Sequence, residues 1–307
     1  MARVYAQRAR SGYKLSRGTV IEKAQRALTE AGHDTKGTDG IFGRDTETAL
    51  RSFQSAFGLG ASGALDDATW SSLLPSTPPP SDFELAIGLT SVFEGHGYTK
   101  VVGNFDGAGL TWGVIGFTLS HGELPILMNA IDEKAPGALD AAFGDLAPVL
   151  REKMTLPRRE AVEWADSISL GRNKTGVEKR WADAFKALGK TDAAKEAQLD
   201  RAKARYWATA ERDAAQFGLT GTPGLALCFD IAVQNGGINE DDEIMAAFNE
   251  EPDATQRRKR EIVAEEVALG SRPRFQDDVR SRKMTIATGE GIVHGGRFHT
   301  ADWGISG

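Results

Sequence analysis

The chain holds a single cysteine, Cys228. No internal disulfide framework is therefore open to it, and its chemistry suits synthesis in a reducing cytoplasm. Within the apolar run LALCFDIAV, Cys228 reads as a small buried core residue. Long apolar runs are also missing. Nothing approaches the roughly 18 consecutive residues of a membrane-spanning helix. The first residues, MARVYAQRARSGYKLSR, are basic but lack an apolar segment, which argues against a secretory signal. Basic excess is absent overall. The net charge is −6 and no nucleic-acid motif appears, so nucleic acid is not an expected partner. Histidine is scarce, with five in 307 residues.

Charge is unevenly spread. Residues 1–80 carry ten basic and eight acidic side chains, so the remainder is the acidic part. The first seventeen residues hold five basic groups and no acid. Two readings of residues 1–15 stand: a basic arm that favours anionic surfaces such as an outer membrane, or a solvated, disordered tail.

Proline is rare except at one place. Pro75, Pro78, Pro79 and Pro80 cluster in LLPSTPPPSDFE, which reads as a short, stiff linker over 76–81. Ser81 and Glu84 then have capping-box spacing, so a helix should open there. The expected organisation is a basic arm (1–15), a small three-helix domain (16–75), the linker, and a larger helical domain (82–307). The fold class is mainly α with a small β-hairpin region, an α+β arrangement.

In the small domain, Ile21, Ala24 and Leu28 fall at helical spacing, as do Leu50, Phe53 and Phe57. A third helix starts near Asp66 and buries Trp70 and Leu73. The turns GIFGRDT and GALDDAT both read Gly-x-apolar-x-x-x-Thr, the sign of an internal duplication. In the large domain, Leu85, Leu89 and Val92 give the first helix its stripe. Further helices are expected near 122–134, 157–169, 177–188, 191–217, 223–235 and 254–269. After Arg280 the Gly-rich tail is expected to pack as loops.

The stretch FEGHGYTKVVGNFDGAGLTWGVIGF, Phe93–Phe117, carries the chemistry. Glu94 follows an apolar helix. The helix dipole and the apolar face both disfavour a charged carboxylate there, which suits a general acid. Asp106 sits in a Gly-rich turn, where solvent and turn amides favour the ionised form. Two carboxylates in unlike surroundings are what glycoside hydrolysis needs: one protonates the leaving oxygen, the other activates water or attacks the sugar. Gly107 and Gly109 would let backbone approach a sugar chain. Singly, each carboxylate has a plainer reading, a surface helix end and an Asx turn.

Two resemblances follow from these residues. VIEKAQRAL…TDGIFGRDTETALRSFQSAFGL…SGALDDATWSSL resembles the peptidoglycan-binding type 1 module, with Asp39, Phe42, Thr46 and Gln54 among the matching positions. Most matching positions are of a structural kind. The segment FEG…NFDGAGLTWGVIGF resembles the helix–hairpin of the lysozyme superfamily. It is closest to the chitosanase-like branch, glycoside hydrolase family 46, through Asp106, Gly107, Gly109, Thr111, Gly113, Ile115, Gly116 and Phe117. CFDIAVQNGGI resembles a cleft-lining helix of those enzymes. The resemblance implies Glu94 as general acid, Asp106 as base for the attacking water, Thr111 as a hydroxyl holding that water, and inversion. The substrate-contact candidates are Tyr98, Asn104, Trp112, Gln234 and Asn235. One departure stands out: Glu94 and Asp106 are closer in sequence than in typical chitosanases.

Together the two parts imply a muramidase of the phage-endolysin type, monomeric and needing no cofactor or metal. It would accumulate in the host cytoplasm until released to the wall. Rival readings are a lytic transglycosylase, a chitosanase and a non-enzymatic wall-binding virion protein. A zinc amidase built on His294, His299 and Asp302, with His96 and His121, is disfavoured because HGGRFHTAD lacks a metal-ligand spacing.

Overall fold

Two buried glutamines organise the small domain. The computed structural model describes residues 2–95 and 97–307. Gln25 lies on the helix Thr19–Glu30 and Gln54 on the helix Arg44–Ala56. The Gln25 amide donates to the Ile41 carbonyl and Thr46 hydroxyl, and its Oε1 accepts from Gly40 N–H at 2.8 Å. Gln54 repeats the pattern: it donates to the Ala64 carbonyl and Thr69 hydroxyl and accepts from Gly63 N–H at 2.9 Å. Gly40 and Gly63 have φ of +70° and +74°, a region other residues rarely adopt. The duplication is thus a repeated clamp of a buried amide on a glycine turn.

This clamp corrects the wall-contact candidates. Phe42 and Gln54 are fully buried and Thr46 is 2% exposed, so none of the three is open to a ligand. Asp39 is exposed, but its Oδ1 already accepts from Ile41 N–H and the Gln25 amide. Phe57 is not in the core either. It stands 58% exposed at the helix end, stacked on Phe53. Gln54→Ala would strand Gly63 N–H and its neighbours. The expected loss is about 1–3 kcal/mol for each buried group left unpaired, read as a lower urea midpoint. An unchanged midpoint would show that water replaces the amide.

The basic arm is not a disordered tail. Val4–Ala6 forms a strand paired with Leu65–Asp66, and Tyr5 is 2% exposed beneath Trp70. Burial, then the hydrogen bond to Asp67, pushes the Tyr5 phenol up to about 12. Three of the arm's cations are paired: Arg3 with Asp82, Arg8 with Glu47 and Arg10 with Glu290. Gln7 N–H donates to the Asp302 carbonyl, and Lys14 N–H to that of Arg297.

The chain divides by packing into residues 1–93 with 206–307, and residues 94–205. The small domain thus packs in one unit with the helix Asp82–Phe93 and residues 206–307. The linker is tied down, since the Trp70 indole N–H donates to the Thr77 and Pro78 carbonyls. Ser81 and Glu84 form the expected reciprocal cap. The helix Asp82–Phe93 is apolar nearly all round and is buried on almost every face, not along one stripe. In the same unit it packs on Gly221–Asn235, which also meets Gln276–Thr288.

Asp230 ties these helices together. It is fully buried and accepts from Thr90, Arg282 and Lys283. Burial opposes its charge, but the two cations outweigh that and hold the carboxyl well below the usual range. The tail is also more regular than expected. Gln276–Thr288 is helical, and Glu290–Val293 pairs with Gly296–His299 in a hairpin that buries Phe298.

In the second unit, Val101–Val102, Thr111–Trp112 and Phe117–Thr118 form a three-stranded antiparallel sheet. Around it are Glu123–Lys134, Ala138–Phe143, Ala147–Met154, Arg158–Ser167, Lys179–Leu188 and Asp192–Ala202. The helix expected over 191–217 is broken after Ala202 by a π-helical turn, Lys203–Trp207, and resumes as Ala208–Gln216. Its Arg201 and Arg205 both grip the buried Glu123. The architecture is mainly helical with a small β region, as the sequence indicates.

Candidate active site

Glu94 sits in the turn directly after Phe93 and is half-buried. The carbonyl of its neighbour Gly95 accepts from the Lys100 ammonium at 2.7 Å, and the Lys100 carbonyl accepts from Gly113 N–H at 3.0 Å. The backbone after Glu94 is thereby tied to the sheet. Asp106 lies in the loop between the paired strands Val101–Val102 and Thr111–Trp112 and is exposed. Its Oδ1 accepts from Ala108 N–H at 3.0 Å, an Asx turn. Among the described residues Oδ2 has no hydrogen-bond partner, so that oxygen is open to solvent.

Asn104 holds this loop in place. Its Oδ1 accepts from Gly109 N–H at 2.8 Å, and its amide donates to Asp166 at 3.1 Å. Asn104 N–H donates to the Ser169 hydroxyl. Lys174 pairs with Asp166 at 2.9 Å from an uncommon φ of +53°. The Lys174 ammonium, then the Asn104 amide, holds the Asp166 carboxyl below its usual range. A Cβ on Gly103 would strike the Lys174 and Gly176 carbonyls, so only glycine lets these backbones approach so closely. Both ends of the Asn104 side chain are thus committed to the protein, and its fitting role is positioning, not sugar contact.

Other candidates fare differently. Tyr98 is half-buried, and its carbonyl accepts from Gln198. Gln198, fully buried, also accepts from Val114 N–H and so joins the Tyr98 loop to the strand turn. Sequence reading passed over Gln198 as one polar residue of an Ala-rich helix. Thr111 is 7% exposed, paired between Val102 and Thr118. Trp112 is fully buried against Phe185, so it is core and presents no face to a sugar. Gly109 is likewise buried, beside Leu119 and Ala165. Gln234 and Asn235 belong to the other unit. Gln234 is engaged by Lys283 and Asp278, and Asn235 donates to Ser271.

The histidines do not converge. His294 lies against Asp278 at 2.6 Å and His299 against Asp302 at 3.1 Å, while His121 meets Thr118. His96 lies outside the described residues. Among the described residues no three ligating side chains gather as a metal site would require.

With a carboxylate at a helix end and another in a clamped, solvent-facing hairpin loop, comparison with known proteins decides the family. The glycosyl hydrolase family 46 profile matches residues 90–271. The chain belongs to glycosyl hydrolase family 46. A peptidoglycan binding domain profile matches residues 17–73, so this family 46 glycoside hydrolase also carries a wall-binding module. Among solved structures, a chitosanase complex is similar at 17% identity and TM-score 0.45, over 71% of this chain and 95% of that one. A native chitosanase from Bacillus subtilis aligns at 18% identity and TM-score 0.45, over 69% and 88%. A family 46 chitosanase from Gynuella sunshinyii, in complex with chitotetraose, aligns at 16% identity and TM-score 0.45, over 69% and 88%. No curated protein matches the chain.

For this family 46 hydrolase, Asn104→Ala should lower the turnover rate on glycan by about 10–10²-fold, the scale of a small misplacement of a reacting group. The melting temperature should move little, because the residue is only half-buried. Asn104→Asp keeps an acceptor for Gly109 but sets a carboxylate against Asp166, so it should not restore the rate. A fully active Asn104→Ala would show that the Asp106 loop holds its shape unaided.

Proposed function

We propose that the enzyme is a muramidase of the endolysin type, cutting β-1,4 bonds between amino sugars in the glycan strands of bacterial peptidoglycan. The observation that carries this reading is the pairing, on one chain, of a family 46 catalytic region with a peptidoglycan-binding module. Glu94 protonates the leaving glycosidic oxygen. Asp106, through its open Oδ2, takes the proton of a water attacking the opposite face of the sugar. Thr111 holds that water, and the carboxylates exchange protons with solvent before the next turnover. The enzyme accumulates in the host cytoplasm and acts on the wall once a membrane pore releases it.

Chitosan hydrolysis is the second reading, favoured by the family itself. Mass spectrometry of digested, purified sacculi separates the possibilities. Muropeptides with reducing N-acetylmuramic acid ends are expected. Reducing N-acetylglucosamine ends would indicate a glucosaminidase, and 1,6-anhydro ends a transglycosylase. Intact sacculi beside rapidly depolymerised chitosan would replace the proposal with chitosanase activity.

A further inference from the structure

Burial of Phe42, Thr46 and Gln54 moves the contact surface of the wall-binding module away from the residues its sequence suggests. Among the described residues of 16–75, Phe57 is the one exposed aromatic side chain. A single exposed apolar residue is ordinary on a protein surface. Phe57, however, is held in place. It closes the helix Arg44–Ala56: its N–H donates to the Phe53 carbonyl at 3.0 Å, and Leu59 N–H donates to that of Gln54 at 2.8 Å around Gly58, which has φ +68°. Its ring lies on Phe53, with centroids 4.3 Å and planes 27° apart. One face is therefore seated, and at 58% exposure the other is turned to solvent.

The surroundings say what fits this ring. The following loop is pinned, since the Gln54 amide also reaches the Ser62 hydroxyl at 3.2 Å and Arg51 donates to the Ala61 carbonyl. Residues 55–58 and 60–62 are exposed. Between Arg51 and Asp66 no side chain is charged, in a chain that is 26% charged. Arg51, at the edge, is neutralised by Glu47 at 3.1 Å. His33 stands edge-on to Phe53, centroids 5.6 Å apart, and its Nδ1 lies 2.9 Å from the exposed Ser52 hydroxyl. Both rings rest on Phe53, so a polar pair borders the aromatic platform.

We infer that this face, Phe57 with the uncharged loop 58–62, binds the N-acetylated sugar rings of a glycan strand. A pyranose ring has a face of weakly positive C–H groups, which suits the negative face of an aromatic ring. An acetamido group adds a methyl and no charge. A free amino sugar carries an ammonium, and this stretch has no carboxylate to meet it. The fixed backbone on both sides of the ring lowers the ordering cost of binding. That the strand is peptidoglycan rests on the reading above, whereas the neutral-sugar chemistry rests on the face alone.

NMR titration of the full chain tests it with two probes, tetra-N-acetylchitotetraose and the fully deacetylated glucosamine tetramer, recorded in the cold before cleavage sets in. The amide signals of Phe57, Gly58, Leu59 and Gly60 report this face separately from the Asp106 loop. The acetylated tetramer should shift them saturably and bind there several-fold more tightly than the deacetylated one. Phe57→Ala should weaken that binding about tenfold, the scale of one aromatic stacking contact, and Phe57→Trp should keep it. Phe57→Leu keeps Phe53 covered, so it reads the loss of the ring apart from any loss of packing, and should weaken binding as Phe57→Ala does. No saturable shift at these signals, equal binding of both tetramers, or full binding by folded Phe57→Leu would each overturn the assignment. Shifts that grow with protein concentration alone would overturn it too, by giving the face to a second copy of the chain. Sacculus digestion run in parallel separates the two readings. Cut sacculi without tetramer binding remove the face and leave the muramidase standing. Tetramer binding with uncut sacculi supports the face and overturns the muramidase.

Discussion

Glu94→Gln is expected to leave a folded protein whose rate of glycan hydrolysis has fallen by about 10²–10⁴-fold, the contribution typical of a positioned general acid. The change is nearly isosteric. Glu94 lies beyond the packed helix Asp82–Phe93, and the bond that secures the next residue runs from Lys100 to the Gly95 backbone. Neither is touched by exchanging a carboxyl oxygen for an amide nitrogen. What is lost is a transferable proton. Release of reducing ends from purified sacculi and from chitosan measures the rate, and a thermal melt confirms the fold. A well-folded variant hydrolysing glycan at the wild-type rate would remove Glu94 from the mechanism.

Asp106→Asn should be of similar severity, again about 10²–10⁴-fold. An asparagine Oδ1 still accepts from Ala108 N–H, so the Asx turn survives and the loss reports on charge alone. The Asn104 clamp on Gly109 is also unaffected. The wild-type product should carry inverted anomeric configuration, observable by proton NMR in the first minutes of reaction. A covalent glycosyl–Asp106 adduct, trapped with a fluorinated substrate, would make Asp106 a nucleophile and overturn the assignment of base. Thr111→Ala should slow the enzyme less, since it removes a hydroxyl and no charge.

Local signals in the sequence located a good deal of this. Glycines and apolar spacing marked the three small helices, Ser81 and Glu84 marked a helix start, and the Gly-rich run marked the three-stranded sheet that carries the Asp106 loop. The failures share a cause. Asn104 meets Asp166 across 62 positions, and Gln198 meets Val114 across 84. Polar residues whose partners are so distant in sequence look like any solvated side chain. Trp112 misled for the opposite reason: an aromatic beside a catalytic motif suggests a sugar platform, whereas burial against Phe185 is set by packing. The arm was misjudged because its partners, Glu47, Asp82 and Glu290, are scattered along the chain.

One unit is assembled from stretches far apart in the polypeptide, and that governs when its packing can form. The helix leading to Glu94 packs Phe93 against Phe298 and sets Gly88 beside Trp303, while Gln7 is bonded to Asp302. These partners lie some 200 to 300 positions apart in the chain. At translation rates of about 5–20 residues per second, the helix waits many seconds for its covering. A chain cut before the hairpin Glu290–His299 keeps both carboxylates but lacks the packing of Phe298 on Phe93. Removal of residues 289–307 should therefore leave the helix before Glu94 without its aromatic cover and free to fray.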